Sequence, residues 1–236
     1  MSEIYLIRHG QASFGEKNYD RLSDKGVAQA AVLGRHLAAL NLKFDAVCFG
    51  EMDRQQKTAQ GMIEAYREKG LFVPEPEVDK SFNEYDATAV WEAQVGQLLK
   101  EDSKFLLPIE KEPKNNAAFQ EVFSKVVARW VSGKFDAKGD VIWKDFKQRV
   151  AGGLNALMER EGSSKRIAVF SSGGPISAAI QMAMELSDLK TIEISWQVIN
   201  ASVTKLKYNG EKVSLTGFND ITHLELTGDK TLLTYR

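Results

Sequence analysis

The sequence predicts an α/β protein, a three-layer α/β/α sandwich built on a mostly parallel mixed sheet with a helical insertion over its site. Three observations predict it. Strand and helix patterns alternate from residue 3 to residue 73 and resume at residue 167, and between about residues 85 and 150 the alternation stops and the chain reads helical. Near the end, an Asn209-Gly210 pair divides two strand-like runs, which adds an antiparallel hairpin to the parallel part. With 236 residues and 43% apolar content the chain can bury a full core, so one domain over 1–236 is expected, carrying the insertion at about 85–150.

Each element has its own signal. Residues 3–7 form an apolar strand. Ser23 reads as an N-cap for a helix starting near Asp24, with Leu22 and Val27 placed as a hydrophobic staple. Ala30, Leu33, Leu37 and Leu40 continue it at spacings of three and four, giving one buried face until Asn41. Asp45 to Phe49 reads as a second strand, a helix with Thr58, Met62 and Ile63 follows, and Leu71-Phe72-Val73 before Pro74 reads as a short third strand. The helical stretch carries Phe105, Phe119, Phe123, Trp130, Phe135, Trp143 and Phe146 among many charges. Ile167 to Phe170 returns to strand, Ile176 to Leu186 is apolar enough for a buried helix, and Val203–Tyr208 with Lys212–Thr216 makes the hairpin.

Charge and composition narrow the function. The 31 basic and 32 acidic residues give a net charge of -1, so no broad basic surface for nucleic acid or anionic membrane is implied. No window approaches 18 uninterrupted apolar residues, and Met1-Ser2-Glu3 lacks the basic start of a signal peptide, so a cytoplasmic location is expected. Cys48 stands alone in an apolar run and reads as a small buried hydrophobe. The three histidines are scattered, with no paired metal-ligand spacing, so neither a metal site nor a cofactor is expected.

Three strand ends carry chemistry. Residues 4–10, Ile-Tyr-Leu-Ile-Arg-His-Gly, place Arg8 and His9 where the first strand stops. Gly50-Glu51-Met52-Asp53-Arg54 follows the second strand and delivers Arg54 in the first turn of a helix. Ser171-Ser172-Gly173-Gly174-Pro175 links a strand to a helix whose N-terminus adds partial positive charge, either as an anion cradle or as a simple turn. Two guanidinium forks, an imidazole and backbone donors together suit a phosphoryl dianion, because guanidinium matches phosphate bidentately.

The motif Arg8-His9-Gly10-Gln11 resembles the opening signature of the histidine phosphatase superfamily, also called the phosphoglycerate mutase-like family, and Arg54 with Thr58-Ala59 is similar to its second motif, with Lys57 in place of the usual Gln. The resemblance implies that His9 carries a phosphoryl group and that Arg8, Arg54, Ser172 and Gly173 bind it. It implies that Glu84, in Asn83-Glu84-Tyr85, protonates the leaving group, with Asp86 as the rival carboxylate. At the fourth motif members usually have Ser-His-Gly-Gly, whereas this chain has Ser172 at the second histidine's position. A protonated imidazole there would contribute at most about 4 kcal/mol at an effective dielectric near 20, and a neutral hydroxyl about 0.5 to 1.5 kcal/mol. Gln11 and His223 are candidates for the pocket rim, His223 having a purely structural reading beside it, while His36 reads as a surface residue.

The resulting expectation is a metal-free phosphatase that hydrolyses a small organic phosphomonoester through a phosphohistidine on His9. The alternatives are a noncatalytic phospholigand-binding protein, motivated by Ser172, and a phosphoglycerate mutase-type phosphotransferase. The aromatic insertion is the expected specificity element, although ordinary helix packing accounts for most of its rings.

Overall fold

The computed structural model describes residues 1–13, 19–112, 115–136, 141–210 and 212–235. Strand β1 (Ser2–Arg8) is followed by helix α1 (Asp24–Ala39), β2 (Ala46–Phe49), α2 (Asp53–Glu68) and a two-residue β3 (Glu77–Val78). A 3-10 turn at Lys80–Phe82 leads into α3 (Ala87–Glu101), α4 (Leu107–Lys111), α5 (Asn116–Val131) and α6 (Trp143–Glu161). The sheet resumes with β4 (Arg166–Ser171), then α7 (Gly173–Met184), α8 (Asp188–Ser195), β5 (Val203–Asn209), β6 (Lys212–Asp220) and α9 (Thr222–Glu225).

The sheet order is β3-β2-β4-β1-β5-β6. The first four strands run parallel, and β5 and β6 add antiparallel pairings. This is the mixed, mostly parallel sheet that the sequence predicts. Alternation along β1 sends Ile4 and Leu6 to one face and Tyr5 and Ile7 to the other. The first face packs on Leu154, Leu157 and Met158 of α6 and Ile176 and Ile180 of α7. The second packs on Leu33 and Leu37 of α1 and Met62 and Ile63 of α2. Three layers result, and the carboxyl ends of the adjacent strands β2, β4 and β1 open onto one edge. Cys48 lies in the first of these cores, where burial pushes its thiol up to about 11.

Several local expectations are corrected. Leu71-Phe72-Val73 is not a strand: Leu71 N–H closes the end of α2 on Tyr66 O, and Pro74 and Pro76 lack ladder donors, so pairing with β2 begins only at Glu77. Leu71 and Val73 nonetheless pack on the core, which explains the apolar signal. Ser23 caps α1 by accepting from Gly26 N–H, but Val27 is 56% exposed and closes no staple. Leu40 is the C-cap and also exposed, because Asn41 turns the chain at φ 53°. In the hairpin Asn209 pairs with Lys212, so Asn209 belongs to the ladder and not to the turn; Gly210 takes φ 60°, and Glu211 lies outside the described residues.

Trp130, Trp143, Phe146 and Phe105 are buried in a third cluster that also takes in Ala178 of α7 and Ile192 of α8. Packing thus accounts for these rings. Trp91, Phe119 and Phe123 form a half-buried, nearly parallel stack with centroids 5.7–6.4 Å apart. Phe135 is 45% exposed, beneath the Arg129 guanidinium.

Candidate active site

His9 follows the last residue of β1 and is only 5% exposed. Its backbone is fixed first: the amide donates to Ser171 O, and the carbonyl accepts from Ala201 N–H and the Asn200 side chain. Its ring is fixed next. Nδ1 lies 2.7 Å from Gly10 O, which can only accept, and Nε2 lies 3.1 Å from the Arg54 Nε–H, which can only donate. The proton therefore sits on Nδ1 and the lone pair on Nε2. Burial, then the charges of Arg54 and Arg8, hold the imidazole well below the ordinary histidine range, against the pull of Gly10. His9 is neutral at physiological pH.

The loop after His9 is shaped by close backbone packing. A Cβ on Gly10 would collide with Gly26 O, and one on Gly26 with Gln11 O, so the first turn of α1 lies directly on this loop. Gly10 N–H donates to Thr58 Oγ1, whose hydroxyl bonds Arg54 O. The Arg54 and Thr58 of the second motif are thereby joined to the first.

Arg54 is 6% exposed and has a partner that sequence reading missed. Its Nη1 pairs with Asp20 Oδ1 at 2.6 Å, and Asp20 Oδ2 accepts from Asp53 N–H at 2.8 Å. A carboxylate 34 residues away in sequence leaves no local spacing signal to find. Arg8, at the end of β1, donates to the carbonyls of Val198 and Tyr235, the latter at 2.8 Å, and its charge reaches both His9 and Glu84.

Glu84 lies just beyond the 3-10 turn, between β3 and α3. Its Oε2 accepts from Gly174 N–H at 3.1 Å and its Oε1 from Tyr85 N–H. A Cβ on Gly174 would collide with Oε1, so this glycine admits the carboxyl to the start of α7. The residue keeps a solvent-accessible edge, yet burial of the carboxyl pushes its pKa above the ordinary range. The hydrogen bonds from Gly174 and Tyr85 and the charges of Arg54 and Arg8 oppose that rise. Asp86 is different. It is exposed and caps α3, accepting from Thr88 and Ala89 N–H.

Ser172 is fully buried as the residue before α7, and its Oγ lies 2.8 Å from Nε2 of Gln55, a second residue that sequence reading missed. Gly173 opens α7, so its N–H is among that helix's unsatisfied first donors. Lys57, which replaces the usual Gln, is exposed.

Gln11 and His223 take supporting places. Gln11 N–H donates to Gln29 Oε1, and its own Oε1 accepts from Ser23. His223 is buried against His36, ring centroids 5.7 Å apart, and bonds the Ala201 backbone; burial, then the charge of His36, pulls it down to about 4. His36, expected at the surface, is half-buried by this contact. Among the described residues no group of three His, Cys, Asp or Glu side chains is placed to hold a metal ion.

The model of the histidine phosphatase superfamily (branch 1) matches residues 4–221. The chain belongs to this superfamily. It is 38% identical over 74 residues to a 2,3-bisphosphoglycerate-dependent phosphoglycerate mutase from Bartonella quintana, a match covering 29% of this chain and 36% of that relative. Among solved structures, a mutant phosphoserine phosphatase from Entamoeba histolytica in complex with phosphoserine superposes with a TM-score of 0.65 at 20% identity, over 95% of this chain and 100% of that one. Phosphoglycerate mutase from Bacillus anthracis superposes at 0.64, again at 20% identity, over 97% of both chains. At such identities these neighbours establish a common fold within the superfamily, and the site itself must carry the argument about chemistry.

Proposed function

We propose that this member of the superfamily is a phosphatase that hydrolyses a small organic phosphomonoester through a phosphohistidine on His9. One observation carries the reading: the Gly10 carbonyl and the Arg54 guanidinium together leave a neutral imidazole with its lone pair on Nε2, beside a cationic clamp. That is the protonation state a nitrogen nucleophile needs.

When a phosphate dianion arrives, Arg54 turns its N–H groups from His9 to the phosphoryl oxygens, which frees the Nε2 lone pair. Nε2 attacks phosphorus in line, the bond to the ester oxygen breaks, and Glu84 gives its proton to that oxygen. The raised carboxyl pKa supports this role, since an ordinary glutamate would already be ionised near neutrality. Water then attacks the phosphohistidine, Glu84 takes the water's proton, the P–N bond breaks and inorganic phosphate leaves. Arg8, Arg54, Ser172 and the Gly173 N–H stabilise the charge on the equatorial oxygens. Asp86, committed to capping α3, takes no part.

Phosphoserine and 3-phosphoglyceric acid are the ligands named for the Entamoeba neighbour in its two complexes. Both are small carboxylated phosphomonoesters, and they are the first substrates to try on this chain. A mutase reading differs only in the acceptor: a second hydroxyl in place of water.

The test is hydrolysis of an aryl phosphate in the presence of EDTA by wild type and His9→Ala, with both folds checked by thermal melting. Turnover that survives EDTA and disappears in the variant is expected, together with acid-labile label on His9 from a phosphodonor. Wild-type turnover in His9→Ala would sink the mechanism.

A further inference from the structure

Ser172 and Gln55 form a buried pair whose polarity can be deduced. Gln55 is fully buried on the first turn of α2, next to Arg54. Its Nε2 lies 3.1 Å from Phe82 O and 2.8 Å from Ser172 Oγ. Phe82 O can only accept, and it also accepts from Ser171 Oγ at 2.8 Å, so the amide must turn its NH2 end to this corner. Ser172 Oγ is therefore the acceptor from Gln55. The other end of the amide, Oε1, packs against Gly50 and has no hydrogen-bond partner among the described residues.

A hydroxyl has one proton to give. With one lone pair occupied by Gln55, Ser172 keeps that proton unused, since its hydroxyl donates no hydrogen bond among the described residues. The two sides of the phosphate site are thus held by consecutive residues of α2, His9 by Arg54 and Ser172 by Gln55.

We infer that Gln55 is a positioning residue that makes Ser172 an obligate hydrogen-bond donor to a phosphoryl oxygen. This rests on the phosphohistidine reading for its context, but it concerns anion binding and can be tested without turnover. Without the Gln55 amide, the hydroxyl rotor is released and Ser172 is no longer held to donate toward the phosphoryl oxygen. The pair acts as a unit, so its two members cannot contribute independently.

The experiment is a double-mutant cycle with Gln55→Met, Ser172→Ala and the double variant. Gln55→Met keeps length and volume while removing the donor. Each is assayed for kcat/KM on the aryl phosphate and for affinity toward orthovanadate, a phosphate analogue followed by tryptophan fluorescence, and each is melted to check folding. A donor to a charged oxygen corresponds to about a tenfold to hundredfold loss. Each single variant is expected to lose that factor in kcat/KM and in vanadate affinity, and the double variant no more than the worse single. Losses that multiply in the double variant, or a Gln55→Met with wild-type vanadate affinity, would overturn the assignment.

If wild type shows no turnover and no label on His9, the phosphatase reading fails, and the vanadate cycle still decides the role of Gln55 by the same criteria. Should Gln55→Met fail to fold, Gln55→Leu replaces it in the cycle and is read by the same criteria.

Discussion

The surroundings of Glu84 and His9 move them in opposite directions, and in the proposed mechanism that separation provides the acid and the nucleophile. His9 must be neutral to attack, and burial with two guanidinium charges lowers its pKa well below the usual histidine value. The rate therefore holds as pH falls through the ordinary histidine range and declines only well below it. Glu84 must be protonated to donate, and burial raises its pKa. The rate then falls as pH rises through that raised value. In a pH profile of kcat/KM on an ester with a poor leaving group, Glu84→Gln should lose about a hundredfold or more and abolish the alkaline limb. On an activated aryl ester the loss should be smaller, because that leaving group needs less protonation. An unchanged alkaline limb in Glu84→Gln would assign the acid to another group. Asp20 is the quieter participant at this scale: its carboxylate holds Arg54 Nη1 and the first N–H of α2, so it sets the angle of the clamp while lowering the net positive charge offered to phosphate.

At the scale of elements, α6 holds the turn that presents Glu84, and two adjacent glycines separate packing from propensity. Arg149 of α6 donates to the carbonyls of Lys80 and Asn83. One turn further on, a Cβ at Gly153 would collide with the Ser81 side chain, whereas at Gly152 nothing lies within 4 Å. Both glycines sit inside the same helix, where alanine is intrinsically better by about 1 kcal/mol. Gly152→Ala should therefore stabilise the protein, raising the melting temperature by about 2–4 °C for a chain of this size. Gly153→Ala should lower it and also reduce kcat/KM, because the 3-10 turn must move and Glu84 with it. Paired thermal melts and kinetics of the two variants check this. Equal effects from both would mean that α6 does not position the turn. Gly174→Ala should displace the Glu84 carboxyl, whose Oε1 occupies the space a side chain would need, and so lower kcat/KM with little loss of thermal stability.

For the molecule as a whole, the sheet and the candidate residues at its strand ends were legible because their signals are local. Continuous apolar runs marked β1, β2 and β4, two strand-like runs flanking Asn209-Gly210 marked the hairpin, and Arg8, His9, Arg54 and Ser172 announced themselves by standing at strand ends. The misplaced third strand reflects a limit of that signal, since Leu71 and Val73 are apolar for core packing while two prolines deny them a ladder. Asp20, Gln55, Asn200 and Gln29 were illegible for another reason: each acts through long-range hydrogen bonds that no spacing announces. Gln29 shows what such residues do. Fully buried on α1, it accepts from Gln11 N–H at 2.7 Å and donates to Leu232 O at 2.7 Å and Thr234 Oγ1 at 2.9 Å. The same C-terminal segment meets Asn200 through Thr234 and Arg8 through Tyr235 O, and Asn200 holds the His9 carbonyl. One amide therefore joins the His9 loop to the C-terminal segment. Replacing Gln29 with Leu, of similar size, would strand one buried donor at Gln11 and one buried acceptor at Leu232, each at about 1–3 kcal/mol. Urea unfolding of Gln29→Leu should show stability lower by about 2–5 kcal/mol with an unchanged m-value, since the surface exposed on unfolding stays the same. Because the His9 loop is one of the two segments released, kcat/KM should fall in the same variant even under conditions where it is fully folded. A stable Gln29→Leu with wild-type kinetics would show that the strand ends alone hold the site.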